Sequence, residues 1–228
     1  MLTFEQVKSK SAGRLSNLHP AVLAGANELI RRSYNRGVPI IITQGMRTIA
    51  EQNALYAQGR TKKGNIVTNV RGGSSYHNYG LAIDFALLLP DGRNVSWDMN
   101  RDGDGDKVAD WQEVAQEGKK LGFEWGGDWT SFKDYSHLQM SFGLTTSELR
   151  AGKKPTAQQV KTALSIINGG EPDVNKDTPV NITLNGRKLT TGLMDNDTTY
   201  APVRAIAEAL GAQVAYDPRT KTVNIVKE

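Results

Sequence analysis

The chain has 228 residues, of which 38% are hydrophobic and 23% charged, and its formal net charge is +4. This composition is typical of a globular protein with one large or two smaller domains, and it argues against disordered and membrane-embedded classes. The chain contains no cysteine, which excludes disulfides, thiolate metal sites and thiol nucleophiles. Any metal would therefore be bound by histidine and carboxylate side chains.

The N-terminal sequence has no charged leader followed by an apolar core, and no later stretch reaches about 18 consecutive apolar residues. We therefore expect synthesis in the cytoplasm without a signal peptide, and no membrane insertion. The basic residues form no tail or stripe, so nucleic acid is not an expected partner. A monomer is expected.

Two helices are predicted near the N-terminus. Residues 4–11 are a short polar helix candidate, and the apolar residues of 21–35 fall on one helical face. Pro20 and Gly37 flank this second helix as a favoured first-turn residue and a favoured stop. His19 precedes it and is predicted to cap the helix or to lie on the surface.

A strand and a helix follow, joined by a short loop. Residues 38–43 have the apolar pattern of a buried strand, and residues 49–58 form a helix candidate that opens on a capping box of Thr48 and Glu51. Arg47 lies at this strand-to-helix junction, where loops commonly carry function. An exposed ion pair is the alternative role for Arg47. The polar, glycine-rich residues 60–75 are predicted to form one wall of a cleft.

Residues 75–84 place His77 seven positions before Asp84 at a turn-to-strand junction. Residues 81–89 are mostly apolar and predict a buried strand, so Asp84 is a carboxylate within that strand. Burying an ionised aspartate is costly unless the group is paired or binds a metal. The segment therefore indicates a partner for Asp84, and half of a metal site is one candidate.

The chain then continues through a hairpin and a helix to a second polar strand. Residues 95–97 are predicted to pair back after a turn at Asp91-Gly92, and residues 111–121 form a helix candidate. Residues 135–142 alternate as a half-buried strand would. One face of this strand carries His137, Gln139 and Ser141. From the residues alone, His77, Asp84 and His137 are the economical ligand set, but their spacing does not show that they converge.

A second metal candidate lies in the acidic stretch from Asp98 to Glu113. Oxygen ligands fall at positions 1, 3, 5, 9 and 12 of a helix-flanking calcium loop, namely at Asp102, Asp104, Asp106, Asp110 and Glu113. Lys107 departs from the pattern, because such loops use glycine there for a sharp turn. A shifted register that begins at Asp98 keeps Gly103 but ends on no glutamate. Asp110 and Glu113 also have capping spacing for the next helix, which explains both without calcium.

The sequence predicts a two-domain α+β protein. Residues 1–150 form the first domain, with a central, mostly antiparallel sheet and flanking helices, and residues 151–179 form a linker with a short helix candidate. Residues 180–228 form a small β-rich domain with one helix. Asn185-Gly186 predicts a type I′ hairpin turn there.

The first domain resembles the zinc peptidases that cut bacterial cell-wall peptides. The resemblance is carried by Ser75-x-His77-x-x-Gly80-x-Ala82-x-Asp84, by Asp134-x-x-His137 and by Gly45-x-Arg47-Thr48. Two further motifs look most like the L-alanyl-D-glutamate endopeptidases of phage lysins and Bacillus-type autolysins; they are Gln52-Asn53-x-Leu55-Tyr56-x-Gln58-Gly59-Arg60 and Glu124-Trp125-Gly126-Gly127-Asp128-Trp129.

This resemblance implies a ligand set and a reaction. It implies zinc bound by His77, Asp84 and His137, with Asp134 as general base and Arg47 as a substrate or transition-state contact. Ser75 belongs to the implied substrate-binding set. The implied substrate is peptidoglycan, hydrolysed between L-Ala and D-Glu at the bacterial cell wall. A D-alanyl-D-alanine carboxypeptidase is one alternative, and a non-catalytic wall-binding protein with a structural zinc is another.

The last part of the chain resembles the small domain named after the N-terminal region of copper amine oxidases. The resemblance is carried by Tyr200-x-Pro202-Val203-Arg204-x-Ile206-Ala207-Glu208-x-Leu210-Gly211-Ala212 and by Lys221-Thr222-Val223-x-Ile225. The segment has no cluster of His, Cys or Met that would bind copper. Cell-wall attachment and a role as spacer or dimer contact both remain open for it.

Overall fold

The computed structural model describes residues 2–169, 179–195, 198–217 and 222–227. The chain divides into two compact units, Met1–Pro172 and Asp173–Glu228, and the predicted α+β class is confirmed. None of the helices in the described ranges has the length and apolar character needed to cross a membrane. Residues 170–178 of the predicted linker lie outside the described residues.

The first unit contains six α-helices and three short 3-10 helices in its described part. The helices predicted over 4–11, 21–35, 49–58 and 111–121 are confirmed to within a residue at each end. Capping boxes open several of them, because a threonine side chain accepts from the backbone at the third helical position. The α-helices are α1 (Phe4–Ser11), α2 (Pro20–Asn35), α3 (Ile49–Ala57), α4 (Asp110–Lys120), α5 (Thr146–Arg150) and α6 (Ala157–Ile167), and the 3-10 helices are Ala12–Arg14, Tyr76–Tyr79 and Gly126–Asp128.

Helix α6 falls within the segment predicted as a linker. It packs against α2, and Ile167 at its end is 4% exposed and belongs to the hydrophobic core. Residues 151–167 of the predicted linker are therefore part of the first compact unit.

The first unit has one antiparallel sheet in the order β1-β2-β5-β4, with β3 paired to the other end of β2. Helix α2 packs against the sheet and also contacts α1 and α4. The core between them is apolar, and its largest buried side chains include Leu29, Phe85 and Trp111. The strands are β1 (Ile40–Gln44), β2 (Ala82–Leu88), β3 (Val95–Ser96), β4 (Glu124–Trp125) and β5 (His137–Gln139).

Strand β5 differs from the strand predicted over 135–142. It has three residues, and both of its faces are buried, so the prediction of a half-buried strand is wrong. Leu138 packs in the core, while His137 and Gln139 on the opposite face are each 6% exposed. Polar partners cover that face, and these partners form the site described below.

The second unit is β-rich and contains one helix in its described part. Asn185 and Gly186 both have positive φ, at 52° and 77°, which confirms the type I′ turn between β6 and β7. The sequence also predicts a turn at Asp217-Pro218-Arg219-Thr220, and residues 218–220 of it lie outside the described residues. The elements are β6 (Pro179–Leu184), β7 (Arg187–Asp195), β8 (Thr198–Tyr200), α7 (Val203–Ala209), β9 (Ala212–Asp217) and β10 (Thr222–Lys227).

Candidate metal centre

The sheet register brings two of the candidate ligands together. Asp84 on β2 lies directly opposite His137 on β5, so both side chains project from one face. His77 comes from the 3-10 helix Tyr76–Tyr79, which Gly80 ends at a φ of 66°. The His77 and His137 rings lie 5.0 Å apart, centroid to centroid. The structure thus brings together His77, Asp84 and His137, with their candidate ligand atoms within 4.8 Å of one another.

The nitrogens that face away from this cluster are both hydrogen-bonded. His77 Nδ1 lies 2.8 Å from the carbonyl oxygen of Gly45, and His137 Nε2 lies 2.9 Å from Gln139 Oε1. Each outer nitrogen must donate, because its partner is an oxygen acceptor. The inner nitrogens, His77 Nε2 and His137 Nδ1, therefore carry lone pairs in the neutral rings.

Both inner nitrogens lie 3.2 Å from Asp84 Oδ1. Three acceptor atoms then face one another in a buried place, which is unfavourable unless a proton or a cation lies among them. Two imidazole nitrogens and one carboxylate oxygen are one of the donor sets of catalytic zinc sites, which keep a fourth position open. The residues of this cluster fit a zinc ion.

The ionisation of the cluster favours a cation in the same way. Burial opposes the charge of the Asp84 carboxyl, but the charge and hydrogen bonds of His77 and His137 hold the pKa of Asp84 well below its usual range. Burial likewise opposes the charge of His137, but the hydrogen bond and charge of Asp84 outweigh it and raise the pKa of His137. A metal would replace the proton that Asp84 otherwise attracts.

The main-chain carbonyl of Gly45 orients the His77 ring, and position 45 has no room for a side chain. A Cβ atom on Gly45 would lie 1.8 Å from the carbonyl oxygen of Arg14. Only glycine therefore fits between the Arg14 carbonyl and the loop that presents the Gly45 carbonyl to His77.

Arg47 lies beside Asp84 and is held by a buried glutamine. One terminal guanidinium nitrogen is 3.8 Å from Asp84 Oδ2, and the other donates to Gln52 Oε1 over 2.7 Å. The amide of Gln52 in turn donates to the carbonyl of Val70 and to the hydroxyl of Thr68. Gln52 is fully buried. Gln52 therefore links Arg47 to residues 68–70, which line the groove beside the cluster.

The cluster opens into a groove of about 380 Å³ that Arg47, Ser75 and Asp134 also line. Ser75 accepts a long hydrogen bond of 3.4 Å from the backbone amide of His77, and Asp134 accepts a hydrogen bond of 2.9 Å from the hydroxyl of Ser136. The structure thus brings every residue of the predicted zinc site to one groove. Its lining also includes residues 67–70, Trp129 and Phe132.

The two tryptophans near Gly126 have different surroundings. Trp125 is 5% exposed and donates from its indole nitrogen to the carbonyl of Tyr135, whereas the Trp129 ring lies 5.2 Å from that of His137 at the groove. This loop therefore both packs in the core and lines the groove. His19 lies outside the cluster and caps α2, as predicted.

The acidic stretch does not gather its five predicted ligands. They fall into two groups that share Asp104, one with Asp102 and Asp110 and the other with Asp106 and Glu113. The acids already have donors. Asp102 accepts from two backbone amides, Asp110 pairs with Arg101 and accepts from Gly103, and Glu113 pairs with Arg36. The structure gives no support to the predicted calcium site.

Three residues of the site carried no functional assignment in the sequence. Gln52 and Glu124 appear in the quoted motifs without a role, and Gln139 appears as a neighbour of His137 on its strand. Most of their partners are distant in sequence, because Gln52 donates to Thr68 and Val70 and Glu124 accepts from Gln139 and Ser141. The alternation of residues along β5 was the available signal for Gln139.

Both parts of the chain are similar to known protein families. A family model described as D-alanyl-D-alanine carboxypeptidase matches residues 68–140, and one described as copper amine oxidase N-terminal domain matches residues 183–228. The peptidoglycan L-alanyl-D-glutamate endopeptidase CwlK of Bacillus subtilis is 58% identical over 125 residues, which span 55% of this chain and 74% of CwlK. The chain belongs to the same peptidase family as CwlK.

A phage peptidase and a crystal structure are also similar to the chain. The L-alanyl-D-glutamate peptidase of Listeria phage A118 is 30% identical over 167 residues, which cover 70% of this chain and about half, 53%, of the phage protein. The crystal structure of the L-Ala D-Glu endopeptidase ChiX of Serratia marcescens matches 59% of this chain and 88% of its own, with 24% identity and a TM-score of 0.42.

Proposed function

We propose that the first unit is a zinc-dependent peptidase that hydrolyses the L-Ala-D-Glu bond of peptidoglycan stem peptides. The observation that carries the proposal is the convergence of two histidine lone pairs and the Asp84 carboxylate in a groove that also contains Asp134 and Arg47. The similarity to CwlK over most of its length supports the choice of bond.

His77, Asp84 and His137 would hold the metal. Zinc bound there would lower the pKa of a water molecule from about 15.7 to about 7, so that hydroxide forms near neutral pH. Asp134 lines the same groove, where its carboxylate would accept a proton from the attacking water. It then delivers the proton to the amine that leaves when the peptide bond breaks, which completes the proton balance.

Arg47 supplies positive charge at the reacting carbonyl. Its guanidinium is fixed by Gln52 and by the Asp84 carboxylate, so it is oriented before substrate arrives. A preorganised cation that stabilises the developing oxyanion contributes typically about 3 kcal/mol. The walls at residues 67–70 and at Trp129 and Phe132 would hold the stem peptide across these groups.

The non-catalytic alternative makes no use of Asp134. A structural zinc site is closed by four protein ligands, whereas this cluster offers three and lies open to a groove. This arrangement supports an enzyme over a wall-binding protein with a structural metal.

The test is mass spectrometry of purified peptidoglycan digested by the full chain, with and without a chelator. We expect new N-terminal D-Glu, loss of this product with the chelator, and its return when zinc is added back. Free D-Ala would instead identify a D-alanyl-D-alanine carboxypeptidase. Absence of any product from the zinc-loaded protein would contradict the proposal.

For residues 180–228 we propose attachment to the cell wall, because this second compact unit is joined to a peptidase whose proposed substrate is the wall. The test compares the full chain with a chain that ends at Pro172, the end of the first compact unit. The full chain should sediment with purified walls and the shorter chain should remain in solution. Equal sedimentation of the two would favour the spacer role.

A further inference from the structure

A row of polar side chains runs away from the candidate metal centre along the edge of the sheet. Glu124 on β4 lies directly opposite Gln139 on β5, and Gln139 is two residues from His137 on the same strand face. Ser141 continues the row. Gln139 and Ser141 are 6% and 8% exposed, whereas Glu124 is exposed in part to solvent.

These side chains form a continuous hydrogen-bonded chain. Ser141 Oγ donates to Glu124 Oε1, and Gln139 Nε2 donates to Glu124 Oε2 over 2.8 Å. Gln139 Oε1 then lies 2.9 Å from His137 Nε2. The chain therefore ends on the nitrogen of His137 that faces away from Asp84.

The direction of every bond in this chain follows from Glu124. An ionised carboxylate only accepts hydrogen bonds, so the NH₂ group of Gln139 must face Glu124. The amide oxygen of Gln139 then faces His137 and can only accept, so His137 Nε2 must carry the proton. The reversed amide would place its oxygen against a carboxylate.

Asp84 acts in the opposite sense. Its Oδ1 atom is 3.2 Å from His137 Nδ1 and would by itself attract the ring proton to that nitrogen. His137 in that form would direct an N–H group at the metal position and could not bind a cation there. The tautomer of His137 thus depends on whether the hydrogen bond to Gln139 or the one to Asp84 is the stronger.

We propose that Glu124 and Gln139 are positioning residues that fix His137 in its Nε2–H tautomer and so prepare Nδ1 for a divalent cation. This inference rests on the proposed zinc site. Neither residue is placed among the ligands, and both act through His137.

The primary test replaces Gln139 by Met, which has similar length, is uncharged and cannot accept the proton of His137. Zinc affinity of the full chain, measured by competition with a chromophoric chelator, should fall about tenfold or more, the range found for residues that support metal ligands. Histidine-ring ¹⁵N–¹H correlation spectra of the metal-free protein, at a pH where the rings are neutral, should show His137 moving from the Nε2–H to the Nδ1–H tautomer.

A double variant separates the hydrogen bonds from simple packing. Glu124→Gln combined with Gln139→Glu keeps the total charge and rebuilds the chain, because a carboxylate at 139 accepts from His137 and the amide at 124 donates to that carboxylate. Its zinc affinity should stay within about threefold of the wild type, since every donor again has an acceptor.

Glu124→Lys tests the role of the terminal acceptor. A lysine only donates, so it should reverse the Gln139 amide and shift His137 toward the Nδ1–H tautomer. Asp128→Lys is the matched control, because it makes the same charge change at a nearby exposed carboxylate outside the chain. Its His137 spectrum should match the wild type.

Wild-type zinc affinity and an unchanged tautomer in Gln139→Met would overturn the inference, as would a double variant that binds zinc as weakly as Gln139→Met. Failure of the proposed function gives a different result. In that case the wild-type protein itself binds no zinc, while the tautomer of the metal-free protein can still be read.

Discussion

The peptidase has two clusters whose residue types suit a metal, and they differ in what their remaining atoms contact. At His77, Asp84 and His137 the outer ring nitrogens are bonded to oxygen acceptors, so the inner atoms have lone pairs directed at one another. In the stretch from Asp102 to Glu113 the carboxylates already accept from backbone amides and arginines. Glu113 Oε2 is buried without a hydrogen-bond partner, but it is a single oxygen. Several acceptors that converge without donors distinguish a metal site better than the number of acidic residues does.

The largest effect is expected from removing a ligand of the first cluster. His77→Ala should abolish both stoichiometric zinc and peptidoglycan hydrolysis, because two protein ligands do not complete a catalytic zinc site. Metal content by mass spectrometry and product release from purified walls measure the two outcomes. His19→Ala is the control, since His19 lies outside the cluster, and it should retain zinc. Retention of stoichiometric zinc by His77→Ala would show that this cluster is not the zinc site.

Asp134→Asn should separate metal binding from catalysis. The amide cannot take a proton from water, so kcat should fall by roughly 10²- to 10⁴-fold while zinc content stays at the wild-type level. Asp128→Asn makes the same change at an exposed carboxylate and should leave kcat unchanged. Near-normal turnover in Asp134→Asn would remove this residue from the mechanism.

Gln52→Met should have a smaller effect, because it loosens Arg47 without deleting it. The variant removes the acceptor for the guanidinium and the donor to Val70. We expect kcat to fall roughly ten- to hundredfold through misplacement of the cation, with zinc content preserved. Gln116→Met, at an exposed position of α4, controls for the substitution itself. A loss of zinc without a change in the kcat of the loaded enzyme would contradict the positioning role.

Thermal unfolding sharpens the comparison between the two clusters directly. Zinc at about 100 times its dissociation constant should stabilise the metal-free protein by about 2.7 kcal/mol, since it binds the folded state. Millimolar calcium should leave the unfolding temperature unchanged. A calcium-dependent increase that Asp104→Asn removes would show that the acidic stretch does bind a cation.

The smallest effect is expected at a carboxylate that belongs to neither cluster. Glu148 is partly exposed, and its hydrogen bonds with Lys153 and Thr145 lower its pKa from 4.5 to about 2. A lowered folded-state pKa gives stability that is present above the unfolded value and is lost as pH falls from 4.5 to about 2. Glu148→Gln should flatten this part of the stability curve slightly, as denaturant unfolding at several pH values would detect. An unchanged pH dependence would show that the pair contributes nothing.

The sequence predicted several of the helices and the three residues that converge at the candidate metal centre, for different reasons. Helices such as α2 and α3 follow from local periodicity and capping, which act within a few residues. The pairing of Asp84 with His137 depends on the register between β2 and β5, and only the resemblance to known peptidases indicated that the two segments meet.

The sequence could not predict which groups pair with the carboxylates of the acidic stretch, or which hydrogen bonds orient His77 and Arg47. The spacing from Asp102 to Glu113 suits calcium, but Arg36 and Arg101 pair with it from positions that no loop pattern includes. The roles of Gly45 and Gln52 likewise depend on contacts with His77, Thr68 and Val70 that form only after folding.

The close approach of Gly45 to Arg14 has a consequence for association between molecules. Strand β1 is an edge of the sheet, and an uncovered edge can pair with the edge strand of another copy. Here the backbone of Ile42 donates to the hydroxyl of Ser11, and the 3-10 helix Ala12–Arg14 lies against Gly45 at the end of the strand. The N-terminal segment thus covers part of this edge against pairing with another strand, and it also packs against the loop behind His77.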